Sequence, residues 1–463
     1  IHSRLLAGLA FRFYDDFDRI TCFQTSSGNI SYFLVTTDIK SLSLKFCLLS
    51  GVTLSAAVLL FWSHIQHQHR IFSSHRAEPF FIKQHPFRCD QIFAGDNHQI
   101  SIAMQQSRTL LTDYEVYKLL ANCSALFSRH FYPLIPTSEE EEKFPLAYVI
   151  LINEHLEQVE ILLNAIYAPQ NIYCIHVDLK APYIVHAAMQ RLSRCLPNVM
   201  VSKTSFPISR VFIEMLDACL SCIEDIYTYL LTLQGHDFPL KTNREIVKIL
   251  RAHRGANDVE LVPPHDHIRY IWKYVFDESG IPIDIVQTNF IRGPPPKNII
   301  LYKGNFAVSL SRQFVDEIRM HELRSLLLKY LRNSASGDEI FWSSLNHNDW
   351  LNFSGNYPGR CVSSGRKTWI SRFTLWKHED GSTADLRHVV CRPHLFLNKF
   401  WLPDDPVAVD CLHELLFKRN YLYDKTGVLN LTYYDNLPGV LYQKHRLTPV
   451  ISLQLWCGYR ITA

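Results

Sequence analysis

Short continuous apolar runs alternate with segments of helical spacing from Phe144 onward. Leu146–Ile152 (LAYVILI) is apolar throughout, as a strand buried on both faces requires. Glu157–Tyr167 (EQVEILLNAIY) repeats its apolar positions at the period of a helix. Asn171–Asp178 (NIYCIHVD) is a second buried strand that ends in polar residues. APYIVHAAMQRLSRC then reads as a helix and NVMVSK as a strand. Strand, helix, strand, helix, strand predicts βαβ units around a mostly parallel sheet, an α/β fold. Ligands of such sheets sit beyond the carboxyl ends of the strands. Asn153, Glu154 and the turn Asp178-Leu179-Lys180 fall at that edge. Neither Gly-x-Gly-x-x-Gly nor a Walker loop follows a strand, which argues against a dinucleotide-binding or nucleoside-triphosphatase fold.

Outside this body the pattern changes. Residues 1–45 show no clear period and read as a cytosolic tail or extraneous sequence. Phe46–Trp62 carries no charge, and its 17 residues are at the short end of a membrane-spanning helix. It predicts a signal anchor. Residues 63–143 would form a stem, rich in His64, His67 and His69 near its start, and then a mostly helical region. Ser138–Phe144 (SEEEEKF) reads as a solvated entry loop to a catalytic domain over 144–425, with a tail at 426–463. ILYKGNFAVSLSRQFVDEI predicts a strand, a Ser-Arg turn and a helix. SGDEIFW places Asp338 and Glu339 where acidic residues favour a helix start.

The chain has 463 residues, 47% of them hydrophobic, enough for a large core. Its 47 basic and 44 acidic residues leave a formal charge of +3, which gives no electrostatic footprint for nucleic acid. The sequons at Asn122, Asn352 and Asn430, together with the anchor and 12 cysteines, favour a luminal or extracellular, disulfide-bonded glycoprotein. No Cys/His spacing has the pattern of a zinc motif.

Six stretches in order resemble the core-2/I-branching β-1,6-N-acetylglucosaminyltransferases (glycosyltransferase family 14). They are FPLAYVILI, AIYAPQNIYCIHVDLKAP, GHDFPLKTN, LYKGNFAVSLSR, SGDEIFW and HLFLNKF. The resemblance implies a GT-A-like catalytic domain in a single-pass type II Golgi membrane protein. It implies transfer of GlcNAc from a UDP-sugar to O-glycans with inversion, without a divalent metal or other cofactor. Asp178 without a second carboxylate nearby agrees with metal independence. Ile152, Asn153, Glu154, Asp178, Leu179, Lys180 and Lys399 would bind the donor. Glu339 would be the general base, and Glu260, Arg269, Trp376 and His378 would hold the acceptor. Disulfides would join Cys89 to Cys411, Cys123 to Cys195 and Cys174 to Cys222, with nearby Cys219 a rival for the last partner.

The chain departs from the family pattern in four places. Gly337 stands for a proline, Asp266 for an acceptor lysine, and TSFPISRV lacks donor-site aromatics. A Cys-flanked segment carrying the second diphosphate cation, an arginine, is missing before Asp385. These departures mark a divergent member or an incomplete gene structure. They leave open another donor sugar or linkage, and a non-catalytic relative.

Overall fold

The computed structural model describes residues 85–106, 108–205, 227–262, 272–277, 284–332, 334, 337–362, 369–375, 392–422 and 429–446, with the backbone alone at 272–277 and 284–285. The chain divides after Ala77 into two compact units, and every described residue lies in the second, Glu78–Ala463. The expected tail, anchor and His-rich start of the stem lie outside the described residues. So do Ser336, Cys222, Arg269, Trp376 and His378. Among the described residues no helix is long and apolar enough to cross a membrane.

The predicted βαβ run is present. Strand β1 is Leu146–Ile152, β2 Ile172–Val177, β3 Val199–Val201 and β4 Tyr229–Gln234. With β8 (Ser309–Ser311) they form a sheet of order β3-β2-β1-β4-β8. The first four strands are parallel, and β8 runs antiparallel to β4. Every residue of β1 and β2 is buried, which is why their sequences are apolar runs without alternation. Chain order runs outward from β1 to β2 and β3, then returns to β4 on the other side of β1. The gap between the carboxyl ends of β1 and β4 is therefore the topological switch point, where open sheets hold their ligands.

Helices cover the sheet. Before β1 come α1 (Cys89–Ala94), α2 (Asn97–Met104), α3 (Asp113–Leu119), α4 (Cys123–Arg129) and α5 (Glu139–Glu142). The crossovers carry α6 (Leu156–Ile166), α7 (Tyr183–Cys195) and α8 (Asn243–His253). A capping box between Thr112 and Glu115 starts α3, and one between Thr242 and Glu245 starts α8. One core cluster joins α6, α7 and α8 to one sheet face through Leu162, Leu192, Ile246 and Tyr148. A second packs Val149, Leu230, Phe314 and Trp342 on the other face. That second face is covered by α9 (Arg312–Met320), α10 (Glu322–Leu331) and α11 (Asp338–His347).

SEEEEKF differs from the expected solvated loop. Glu139–Glu142 is a helical turn capped by Ser138, and Glu141 is buried. Its carboxylate accepts from Asn243 Nδ2 at 2.7 Å and from Ser138 Oγ at 2.8 Å. A charge run reads as solvated only until one member finds buried donors.

A hairpin of β6 (Trp272–Asp277) and β7 (Asp284–Ile291) follows the acceptor segment. A small sheet of β5 (Phe238–Pro239), β9 (Arg372–Thr374) and β10 (Phe396–Asn398) sits in the order β5-β10-β9. Near the C-terminal end are α12 (Pro406–Phe417), α13 (Leu431–Asp435) and α14 (Pro438–Arg446). Disulfides Cys89–Cys411 and Cys123–Cys195, the pairs named from the resemblance, staple α1 to α12 and α4 to α7. Cys174 is buried in β2, and its expected partner Cys222 lies outside the described residues. Cys361 is also disulfide-bonded.

Candidate active site

Two groups of side chains assemble beyond the sheet's carboxyl edge. The first is built on the ends of β1, β2 and β4. Asp178 follows β2. Its backbone N–H donates to the Ile152 carbonyl at 2.8 Å, which fixes the two strand ends side by side. Its carboxylate accepts from the Lys180 backbone N–H at 2.8 Å and is buried, while Leu179 and Lys180 are exposed. This Asx-type bond holds the turn in one shape. Asn153 Nδ2 donates to Glu154 Oε1 at 3.2 Å at the end of β1. Ile152 is fully buried, so only its backbone faces the edge.

Lys399 follows β10 and is exposed. The residues around it are tightly held. Phe400 N–H donates to the His236 carbonyl at 2.9 Å, Gln158 of α6 donates to the Phe400 carbonyl, and Leu402 N–H donates to Gln158 Oε1 at 3.0 Å. The His236 ring stacks on Trp401 with centroids 4.2 Å apart. A flexible cation thus projects from a pinned loop beside the switch point. The charge of Lys399 is felt at His236: burial first, then His155 and Lys399, push that imidazole down to about 4.

The second group surrounds α11. Glu339 is in the first turn, and its side chain keeps 30% of its accessible surface, while neighbouring Asp338 is buried. Gly337 occupies the N-cap position in helical conformation without a side-chain cap. Lys303 Nζ lies 3.7 Å from Glu339 Oε2. The Gly304 N–H donates to the Glu339 carbonyl at 2.7 Å, and Ser343 Oγ donates to the Glu260 carbonyl at 2.9 Å. A Cβ on Gly304 would overlap both Ser343 Oγ and that carbonyl, so glycine allows the close approach. Glu260 and Glu339, called from separate motifs, are therefore brought to one place. The Glu260 side chain itself is buried.

Burial first, and the Glu339 charge second, raise the Asp338 carboxyl to about 7, with Arg372 acting in the opposite direction. Arg372 is the link between the groups. Buried in β9, it donates from Nη2 to Asn305 Oδ1 at 2.8 Å and lies 3.4 Å from Asp237 Oδ1. Asp237 in turn accepts from the Gln234 N–H at 2.6 Å, and buried Asn398, next to Lys399, acts to lower its carboxyl. Burial raises the Asp237 carboxyl despite Arg372. Asp258 performs a similar task beside Glu260, accepting from the N–H groups of Ile370 and Ser371 at 2.9 and 2.6 Å.

Lys303, Arg372, Asp237 and Asp258 were not singled out by sequence reasoning. Lys303 and Asp237 stand inside the recognised stretches LYKGNFAVSLSR and GHDFPLKTN, Arg372 stands four residues before Trp376, and only their approach in space gives them a role. The candidate glycosylation residues Asn122, Asn352 and Asn430 are all exposed. Asn122 and Asn430 cap helices, and Asn352 Oδ1 accepts from Arg446 Nη2 at 2.7 Å. A cleft of about 480 Å³ lined by Phe144, Tyr229, Arg254 and Arg312 lies at the opposite edge of the sheet, away from these carboxylates.

A mostly parallel sheet with helices on both faces and polar groups clustered at its carboxyl edge defines a GT-A-like α/β glycosyltransferase domain. Residues 146–396, more than half of the chain, match the family model "Branch: Core-2/I-Branching enzyme". The chain belongs to this family of glycosyltransferases. It is similar to the human "Beta-1,3-galactosyl-O-glycosyl-glycoprotein beta-1,6-N-acetylglucosaminyltransferase 3", with 30% identity over 363 residues, 71% of this chain and 82% of the relative. The rat protein of the same name is 28% identical over 362 residues, 71% and 82% of the two chains. A bovine herpesvirus 4 (strain V. test) protein named as a beta-1,3-galactosyl-O-glycosyl-glycoprotein beta-1,6-N-acetylglucosaminyltransferase is 29% identical over 363 residues, 71% of this chain and 81% of the relative.

Proposed function

We propose that the protein transfers GlcNAc from UDP-GlcNAc to a hydroxyl of an O-glycan with inversion, as a type II protein with its catalytic domain in the Golgi lumen. Glu339 takes the proton of the attacking acceptor hydroxyl. The hydroxyl oxygen forms a bond to C1 of the sugar, and the bond from C1 to the diphosphate breaks, releasing UDP. The observation that carries this reading is the placement of Glu339, a half-buried carboxylate in the first turn of a helix packed rigidly through Trp342, with Lys303 3.7 Å away. A base must be held in place yet reach solvent-delivered substrate, and this one meets both conditions.

Asp178, Lys180 and Lys399 hold the donor, with the backbone of Ile152 and the Asn153-Glu154 pair at the same edge. Lysine rather than a resident metal neutralises the departing diphosphate. Glu260 and the adjacent acceptor segment place the acceptor. The names of the relatives support GlcNAc as the sugar and a β-1,3-galactosylated O-glycan as acceptor.

The experiment is transfer by the full chain and by Glu339→Gln, with a panel of UDP-sugars and a Galβ1,3GalNAc acceptor, in chelator. The reading expects GlcNAc transfer that falls at least about a hundredfold in the variant. Transfer retained by the variant refutes the base, and turnover with only another sugar refutes the donor.

A further inference from the structure

We propose that Glu154, His155 and His236 form a binding site for one divalent transition-metal ion of the zinc class. The three come from the ends of β1 and β4 and meet at the switch point, although 80 residues separate His155 from His236. Each offers one ligand atom, and these atoms all lie within 4.8 Å of one another. Two imidazoles and a carboxylate are a donor set that suits zinc and leaves a fourth position open. Bonds of about 2.0–2.1 Å in a tetrahedron put ligand atoms about 3.3 Å apart. The observed spacing thus needs a contraction that rotation of half-exposed side chains supplies. Glu154 and His155 keep 44% and 31% of their side-chain surface.

Two further observations point to a ligand rather than to packing alone. His236 Nε2 is buried and has no hydrogen-bond partner among the described residues. A burial cost of this kind is relieved when the nitrogen binds an ion. His155 adopts φ 58°, ψ 59°, a left-handed conformation uncommon for a residue with a side chain, at the N-cap of α6, where its ring caps nothing. Lys399 opposes a nearby cation, so the site takes up an ion in exchange with solution instead of locking it in. The site shares Glu154 with the donor edge proposed above, but it rests on the placement of its three ligand atoms and stands whether or not that reading does.

The test titrates Zn²⁺ into the full chain after chelator treatment, by calorimetry, with no nucleotide present. Cobalt replaces zinc in a parallel titration, read by visible absorption. The expected result is one binding event whose affinity falls at least about tenfold in both His155→Gln and His236→Gln, with loss of the four-coordinate cobalt spectrum. The metal-free variants are first compared with wild type by thermal unfolding. Should His236→Gln unfold, the half-exposed His155→Gln and Glu154→Gln carry the comparison. Equal stoichiometry and affinity in wild type and the folded variants would overturn the site, and would leave GlcNAc transfer untouched.

Discussion

Replacing Asp338 by asparagine should stabilise the protein at neutral pH and leave it unchanged in acid. The carboxyl is buried and faces Glu339, so its pKa rises from the ordinary 3.8 to about 7. Between those values the native state keeps a proton that the unfolded chain releases. The unfolded state then binds fewer protons, and stability falls as pH rises. Its contribution is intact below about pH 4 and is lost as pH climbs through 7. A gap of about three units corresponds to about 4 kcal/mol, taking about 1.4 kcal/mol per unit. The asparagine side chain keeps the shape and has no charge to desolvate. The assay is denaturant unfolding of wild type and Asp338→Asn at pH 3, 6 and 8. The variant should match wild type at the lowest pH and exceed it by a few kcal/mol at the highest. Parallel stability profiles across this range would refute the argument, because they would mean that Asp338 ionises at no cost. Arg372 is the group most able to produce that outcome, since its charge favours the ionised form.

Arg372→Met leaves Asp237 buried without its cation and should cost about 3–5 kcal/mol in chemical unfolding; adding Asp237→Asn should recover much of it. Gly304→Ala forces Ser343 and the Glu260 carbonyl apart from the helix start, so transfer should fall at least about tenfold while far-ultraviolet circular dichroism stays native. Cys411→Ser removes the link between α1 and α12 and should lower stability by about 2–4 kcal/mol under oxidising conditions, with no further loss on adding reductant to the variant at that bridge.

The parts of this fold that were legible in the sequence are those where one local rule settles the outcome. β1 and β2 are apolar runs because both faces are covered, and their polar ends mark the ligand edge. β4 obeys the same rule, with buried Leu230 and Leu231, but Thr232 interrupts the run; its hydroxyl donates to the Phe306 carbonyl at 2.7 Å. SEEEEKF misled because its partner, Asn243, comes about a hundred residues later. A charge run carries no sign of which member will be buried.

The site divides along the same line. Motifs mark Asp178, Glu339 and Lys399 separately, but nothing local says how the helix bearing Glu339 is fixed against the loop bearing Lys399. That fixing runs from the Glu339 carbonyl to the Gly304 N–H, from neighbouring Asn305 to Arg372, from Arg372 to Asp237, and from the adjacent His236 carbonyl to the Phe400 N–H. A buried guanidinium held between an amide oxygen and a carboxylate resists displacement, because moving it strands a charge in a poor solvent. It therefore acts as a spacer between the helix bearing Glu339 and the loop bearing Lys399. Gly337 bears on the same point. A proline there would stiffen the approach to α11 from outside; with glycine, the helix start is held instead from within, by Asp338 beneath it and by the Gly304 N–H on the Glu339 carbonyl.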